Sequence, residues 1–442
     1  MAHGAAQSSR LEASALQTLS AAFTRSERFA PDEMRRRQSV LLDALFEHHT
    51  TTTQSFRDRL EHADLYASSA RGFARLRKLP PISRHQIQSA RDTFNSSRIP
   101  SAHFPLDRVK TSGSTGEPVS IIRTAVNRLY WSAFGMRDHA WNGRDVGGRM
   151  CAIRAGIETR MELSDWGQPA NLLGPTGRCL ALPITTPVGE QVTVLDEFQP
   201  EILLVYPNNL RALVDEWHAR KALLGSLKHI RTIGETVSDD LRRHVQANTG
   251  LRIEDSYSSQ EAGPIAIQCP EGGLYHIMSE ALVVEVLDDQ NEMCAPGQTG
   301  RIVLTDLHNY AAPLIRYDIG DFASVAGACT CGRTLPTLGR ILGRERNLLR
   351  RRNGDRHWPL VGFHSFDNVA PVRQYQFIQH TFEEIELRLV TDDALDDAQQ
   401  QRFRSIAASA LGGEFHFRVT QSRTRLPVGA NGKFEEFVCR VA

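Results

Sequence analysis

Between residues 105 and 340, short apolar runs alternate with helix-length amphipathic stretches, and no other feature of the chain restricts its fold as much. Ile202-Leu203-Leu204-Val205-Tyr206 is a continuous apolar run of strand length. Leu210, Leu213, Val214 and Trp217 follow at helical spacing, and then comes His229-Ile230-Arg231-Thr232-Ile233. Apolar strands joined through a helix predict a largely parallel sheet with helices on its faces. From 281 to 326 the runs stand closer together (Leu282 to Leu287, Arg301 to Thr305), which predicts an antiparallel or barrel-like subdomain. Beyond about residue 344 a smaller α+β unit is expected. Glu384 to Val390 alternates Ile385, Leu387 and Leu389 inward with Glu384, Glu386 and Arg388 outward. Residues 393–411 carry the helical stripe Leu395, Ala398, Phe403, Ile406 and Ala410, ended by Gly412-Gly413, and Phe415 to Val419 is a further strand.

The expected fold class is therefore α/β. A large N-terminal domain of β/α subdomains with a small barrel-like subdomain spans 1–343, and a small α+β C-terminal domain spans 344–442. The Arg-rich run Arg344 to Arg356 is the junction. Residues 1–30 have weak periodicity and are expected to fray or form a loose helix. A firmer helix begins at Pro31, with Asp32 and Glu33 at its positive end, and Ser83 is placed to cap another helix.

Composition narrows the function classes. Lys plus Arg is 52 and Asp plus Glu is 51, a net charge of +1, which excludes a strongly basic nucleic-acid binder. Seven cysteines in 442 residues are too few for a disulfide scaffold. No apolar stretch approaches membrane-spanning length and the N-terminus lacks a signal-peptide pattern, so a cytoplasmic protein is expected.

The sharpest local feature is Lys110-Thr111-Ser112-Gly113-Ser114-Thr115-Gly116-Glu117-Pro118. Small residues let backbone N–H groups approach an anion, and the hydroxyls add donors. The spacing is not that of a Walker loop. Thr111 to Gly116 with Pro118 resembles the phosphate loop of the acyl-adenylate-forming (AMP-binding) superfamily. Three more segments resemble that superfamily in the required order. They are Asp255-Ser256-Tyr257-Ser258-Ser259-Gln260-Glu261, Pro313 to Asp321, and Asn431-Gly432-Lys433. Leu79 to Arg84, Gly297 to Thr305 and Cys331 to Pro336 are similar to the phenylacetate–CoA ligase branch.

The resemblance implies ATP-dependent activation of a carboxylic acid, expected to be aromatic, to an acyl-adenylate, with pyrophosphate leaving and the acyl group passing to coenzyme A as a thioester. It implies that Thr111, Ser112, Gly113, Ser114, Thr115 and Gly116 hold the β/γ phosphates and that Glu261 binds Mg²⁺. Asp321 would accept from the ribose hydroxyls, Arg344 would reach ribose or phosphate, and Gly234 and Glu235 would border the adenine beside Tyr257 and Ser258. Lys433, on a mobile C-terminal domain, would bridge the attacking carboxylate and the α-phosphate. The chain departs from the superfamily at Glu117, Ser258, Gln260 and Arg346 and across 348–362, the stretch that shapes the coenzyme A tunnel in relatives. The alternative acceptors are a carrier-protein pantetheine or an amine, and a non-catalytic acid- or nucleotide-binding homologue is the third reading. A homodimer is a further expected association; nucleic acid and membrane are not expected partners.

Cys269, His276, Cys329 and Cys331 carry ligand types that Zn²⁺ prefers, in the order Cys-x6-His and Cys-x-Cys, and predict a closed structural site. Buried thiols beside a core histidine are the alternative. The acid pocket is expected in 130–260, with Tyr130, Trp131, Phe134, Trp141, Tyr206 and Pro207 as lining and Arg137 or His139 facing a substrate carboxylate or phenol.

Overall fold

The computed structural model describes residues 2–110, 119–222, 224–344, 347–354, 356–357, 366, 368–428 and 434–441. The chain divides into two compact units, one of 1–150, 162–179 and 254–341, the other of 151–161, 180–253 and 342–442.

The first unit is built on antiparallel strands. In sheet order these are Leu282–Leu287, Thr299–Asp306, Tyr317–Val325, Thr337–Arg344, Tyr275–Ile277, Gly263–Gln268 and Ile253–Ser259. Leu282 faces Asp306, Leu304 faces Tyr317, and Tyr257 faces Ala266. Their inner faces share a core with Val119, Ile121, Phe134, Leu314 and Tyr317. A separate hairpin pairs Asp107–Lys110 with Ser120–Arg123.

The N-terminal segment corrects the sequence expectation. Ala2–Ser26 is one continuous helix, and Leu16 and Phe23 are buried in the same core. Its periodicity is weak because alanines dilute the apolar stripe, yet its partner supplies the missing bulk. Phe23 stacks on Phe134 of helix Ala125–Trp141 with ring centroids 4.7 Å apart. The Ser83 cap is present as a complete capping box with Gln86, and Pro31 opens helix Pro31–Thr52.

In the second unit Ile202–Val205 pairs in parallel with His229–Ile233, and both pack with helices Val188–Phe198, Pro207–Arg220 and Asp239–Thr249 in one apolar core. The unit also holds a four-stranded sheet in the order His416–Ser422, Glu384–Val390, Gln374–Gln379, Phe437–Cys439. Helix Asp397–Leu411, capped by Asp396, covers it through Phe403, Ala407 and Leu411. The alternation holds, with Ile385, Leu387 and Leu389 in the core, but the opposite face is covered: Glu386 is buried because His380, Arg388, Arg418 and Thr420 surround its carboxylate. No helix is long and apolar enough to cross a membrane among the described residues.

Candidate functional site

Two of the expected acidic residues lie on separate antiparallel elements of the first unit. Glu261 sits in the turn between Ile253–Ser259 and Gly263–Gln268 and is buried. The Tyr317 hydroxyl reaches Glu261 Oε1 at 3.4 Å, and Arg84 Nη1 lies 3.8 Å from the same oxygen. Asp321, in strand Tyr317–Val325, accepts a 2.7 Å hydrogen bond from the Tyr257 hydroxyl. That bond fixes one carboxylate oxygen, and a fixed acceptor is what recognition of vicinal hydroxyls needs. Ser258 is exposed at the strand end.

The backbone around these carboxylates is held by buried groups. Arg316 has φ +51°, a left-handed value that an arginine adopts only when its surroundings enforce it. Its guanidinium makes a two-pronged pair with Glu285 at 3.0 Å and 3.0 Å, and donates to the carbonyls of Arg77 and Leu79 at 3.0 and 2.7 Å. Ile82 then bridges to Tyr317, and Ser83 starts the helix whose first residue is Arg84. Arg84 and Tyr317 are site residues that motif reading assigned no role, although both stand in segments resembling relatives. At Gly263, φ is +70° and an added Cβ would fall 2.1 Å from Trp131 Cε2, so the indole rests directly against the backbone two residues after Glu261.

The other nominated positions divide. Residues 111–116 and Lys433 lie outside the described residues. Gly234, with φ +79°, turns the chain off strand His229–Ile233 in the second unit. Glu235, expected beside an adenine, has Oε2 at 3.0 Å from the Asn208 amide and Oε1 at 2.8 Å from the Phe434 amide. Arg344 ends strand Thr337–Arg344, half-buried.

Most of the expected acid-pocket face is already covered. Tyr130 and Phe134 both pack on Phe23. Arg137 pairs with Glu280 at 2.6 Å and donates to the Phe23 carbonyl at 3.0 Å, and Ser26 donates to the same carboxylate. The Trp141 indole N–H donates to Glu27 at 2.9 Å. This face of helix Ala125–Trp141 is therefore the seat of the N-terminal helix, which corrects the reading of Arg137 as a substrate contact. His139 packs against Trp166, Tyr206 is buried with its hydroxyl accepting from the Ala155 amide, and Pro207 starts a helix. Of that helix's nominated aromatics, Trp131 lies against Gly263 beside the Glu261 turn, with Arg123 over its ring at 4.8 Å.

Cys269, His276, Cys329 and Cys331 converge, their ligand atoms all within 4.8 Å of one another. Strands Gly263–Gln268 and Tyr275–Ile277 bring in Cys269 and His276, and the turn before strand Thr337–Arg344 brings in the other two. His276 Nδ1 lies 3.3 Å from the Leu335 carbonyl, which turns Nε2 toward Cys331 Sγ at 3.3 Å. Burial keeps that imidazole below its usual pKa, hence neutral and able to ligate. Burial drives the Cys329 thiol up to about 11, whereas Cys331 is lowered because, against its own burial, it accepts from the Arg333 amide and other neighbours. A Cβ at Gly272 would fall 2.3 Å from Cys329 Sγ, so only glycine leaves room. Three sulfurs and one nitrogen around one point, with a backbone acceptor orienting the histidine, fit Zn²⁺. Arg333 lies 4.4 Å over Trp141 and pairs with Glu27 and Glu271, and Thr334 donates to the Glu27 and Phe29 carbonyls, tying this turn to the end of the N-terminal helix.

No protein-family model matches the chain. It is 29% identical over 296 residues to a phenylacetate–coenzyme A ligase of Thermus thermophilus, covering 63% of this chain and 64% of that one. A phenylacetate–coenzyme A ligase of Pseudomonas putida is 27% identical, over 54% of each chain. The chain thus spans under two thirds of the length of these two curated relatives. Among solved structures, a 2-hydroxyisobutyryl-CoA ligase in complex with 2-HIB-AMP superposes with a TM-score of 0.75 at 18% identity, over 94% of this chain and 91% of that one. The chain is thus similar to phenylacetate–coenzyme A ligases and shares the fold of an acyl-adenylate-binding CoA ligase. An anthranilate CoA ligase in complex with anthranoyl-AMP shares the fold more distantly, with a TM-score of 0.54 at 14% identity, over 74% of this chain and 65% of that one. The paired Tyr257–Asp321 and the Glu261 turn stand in the segments whose sequence resembles the motifs of the acyl-adenylate-forming superfamily.

Proposed function

We propose that this phenylacetate–CoA ligase-like chain activates a carboxylic acid with ATP, releases pyrophosphate, and transfers the acyl group from the adenylate to coenzyme A. The observation that carries the reading is the Tyr257–Asp321 hydrogen bond at 2.7 Å beside the buried Glu261 turn. An acceptor already oriented by a neighbour binds the ribose hydroxyls without reordering. Thr111 to Gly116 would donate to the β/γ phosphates and Arg344 would reach the sugar or phosphate. Gly234, Tyr257 and Ser258 would border the nucleotide. Glu261 would hold Mg²⁺, which supplies charge neutralisation to the phosphates when bound. Its pairing with Arg84 and Tyr317 keeps the carboxylate aimed. Lys433 would place its ammonium where charge accumulates between the acid and the α-phosphate. Cys269, His276, Cys329 and Cys331 would hold a structural Zn²⁺. An aromatic acid is favoured by Trp131, whose indole lies beside the Glu261 turn.

The departures from the superfamily in 348–362 favour examining a second acceptor, a carrier-protein pantetheine or an amine. A homodimer in the cytoplasm is the setting proposed. The experiment is acid-dependent exchange of labelled pyrophosphate into ATP with a panel of aromatic, aliphatic and amino acids, followed by acceptor supply. Lys433→Ala should lower exchange by at least ~10²-fold, the scale of one charge-stabilising donor. Exchange with none of the acids, or undiminished exchange in that variant, would overturn the reading.

A further inference from the structure

The second unit contains a carboxylate that joins two backbone donors far apart in sequence. Glu235 follows Gly234, whose φ of +79° lifts the chain off strand His229–Ile233. Its Oε2 accepts from the Asn208 amide at 3.0 Å. Asn208 lies in the first turn of helix Pro207–Arg220, which has no side-chain cap of its own at Tyr206. The first-turn amides of a helix lack intrahelical partners and carry the positive end of its dipole. An anionic oxygen supplied from a neighbouring loop satisfies one of them and is itself held there. The other oxygen, Oε1, accepts from the Phe434 amide at 2.8 Å. Phe434 is the residue immediately after Lys433.

A second strut runs parallel to the first. Gln374 Oε1 accepts from the Leu426 amide at 2.8 Å, while its Nε2 donates to the Asn208 side chain at 3.3 Å. Leu426 and Phe434 pack together with Val390 in a small buried apolar cluster. Leu426 and Phe434 are thus each tied, through Gln374 and Glu235, to the same helix start at Asn208.

We propose that Glu235 is a positioning residue: its carboxylate ties the amide next to Lys433 to the first turn of helix Pro207–Arg220, and so sets where that lysine is delivered. The inference rests on the proposed role of Lys433. It replaces a contact between Glu235 and adenine with one made through the backbone, and it separates binding from turnover. Losing the tie leaves the nucleotide contacts in place and misplaces the ammonium.

The test compares full-length wild type with Glu235→Ala and Glu235→Gln. Hydrogen exchange of peptides covering 426–441 should quicken at least about tenfold in Glu235→Ala, the scale of losing one hydrogen bond to a charged acceptor. Glu235→Gln keeps one acceptor oxygen and should fall between; it also serves if the alanine variant folds poorly. Unchanged protection in both would overturn the proposal. In pyrophosphate exchange, with an acid that the wild type accepts, Glu235→Ala should lower turnover at least about tenfold with the KM for ATP within about twofold. A raised KM at unchanged turnover would give Glu235 to the nucleotide and also overturn it. A wild type silent with every acid counts against the proposed activity, while the tie is still decided by amide exchange.

Discussion

Replacing Phe23 with alanine tests the seat of the N-terminal helix. Phe23 is 3% exposed, stacked on Phe134 at 4.7 Å with an interplanar angle of 11°, and lies 5.6 Å from Tyr130. The Arg137 guanidinium lies over its ring at 4.7 Å. A buried phenylalanine removes about 150–200 Å² from water, which at ~25 cal/mol per Å² is about 4 kcal/mol. Truncations of this kind cost about 3–5 kcal/mol in measured series. The C-terminal end of the helix keeps other ties, since Ser26 still reaches Glu280 and Thr334 still holds Glu27. The loss should therefore fall on docking of the helix and not on the fold of the second unit. Hydrogen exchange of peptides within 10–26 should quicken by about 10²–10³-fold, because each ~1.4 kcal/mol of opening free energy is a factor of ten. Peptides from 384–411 should not change. If the 10–26 amides keep their protection and the variant instead shows a raised KM for its acid, the aromatic face of helix Ala125–Trp141 is a substrate wall, and the packing argument is refuted.

Three further outcomes are expected. Purified protein should carry about one zinc per chain, and Cys329→Ser with Cys331→Ser should lose it, by metal analysis; the same variant should loosen residues 26–29, because Arg333 and Thr334 of that turn hold Glu27. Tyr257→Phe removes the 2.7 Å donor to Asp321 and should raise the KM for ATP about tenfold, a loss of about 1.5 kcal/mol, in the exchange assay; an unmoved KM would remove Asp321 from the ribose role. Asp306 is fully enclosed, accepting from Asn127 Nδ2 and the His308 amide, each at 3.0 Å, and burial pushes its carboxyl up to about 7. A raised acid binds its proton more tightly in the folded state, so its contribution is best below about pH 4 and wanes as pH rises through 7. The unfolding free energy of wild type relative to Asp306→Asn should therefore fall between pH 4 and 8, and parallel curves in urea titrations would contradict the assignment.

Much of the fold is written in local patterns. The strand Glu384–Val390 and the parallel pair at 202–205 and 229–233 follow from apolar runs that no other element type could bury. Ser83 with Gln86 three residues on is a capping box in the sequence and in the structure. What local patterns miss is burial supplied by distant partners. The N-terminal helix looks weak alone because its apolar residues are sparse, and the rings that complete it stand more than a hundred positions later. Glu386 reads as a solvent residue because alternation cannot foresee that Arg388 and Arg418 would enclose it. In the candidate site, the segment patterns nominate Tyr257, Glu261 and Asp321, while the hydroxyls that reach Glu261 and Asp321 are set only by the fold. Glu235 stands out locally for its dipeptide with Gly234, but its two amide donors are separated by 226 positions, beyond any local pattern.

The way the leading helix is nailed down has a practical side. A shortened chain that began near residue 79, where similarity to relatives becomes recognisable, would strip the cover from Tyr130, Phe134 and Trp141 and leave the Arg137–Glu280 pair without Phe23 and Ser26 beside it. Greasy rings next to a half-satisfied ion pair invite clumping. An inert trimmed preparation would thus speak of a damaged scaffold, and says nothing about whether the nucleotide machinery works.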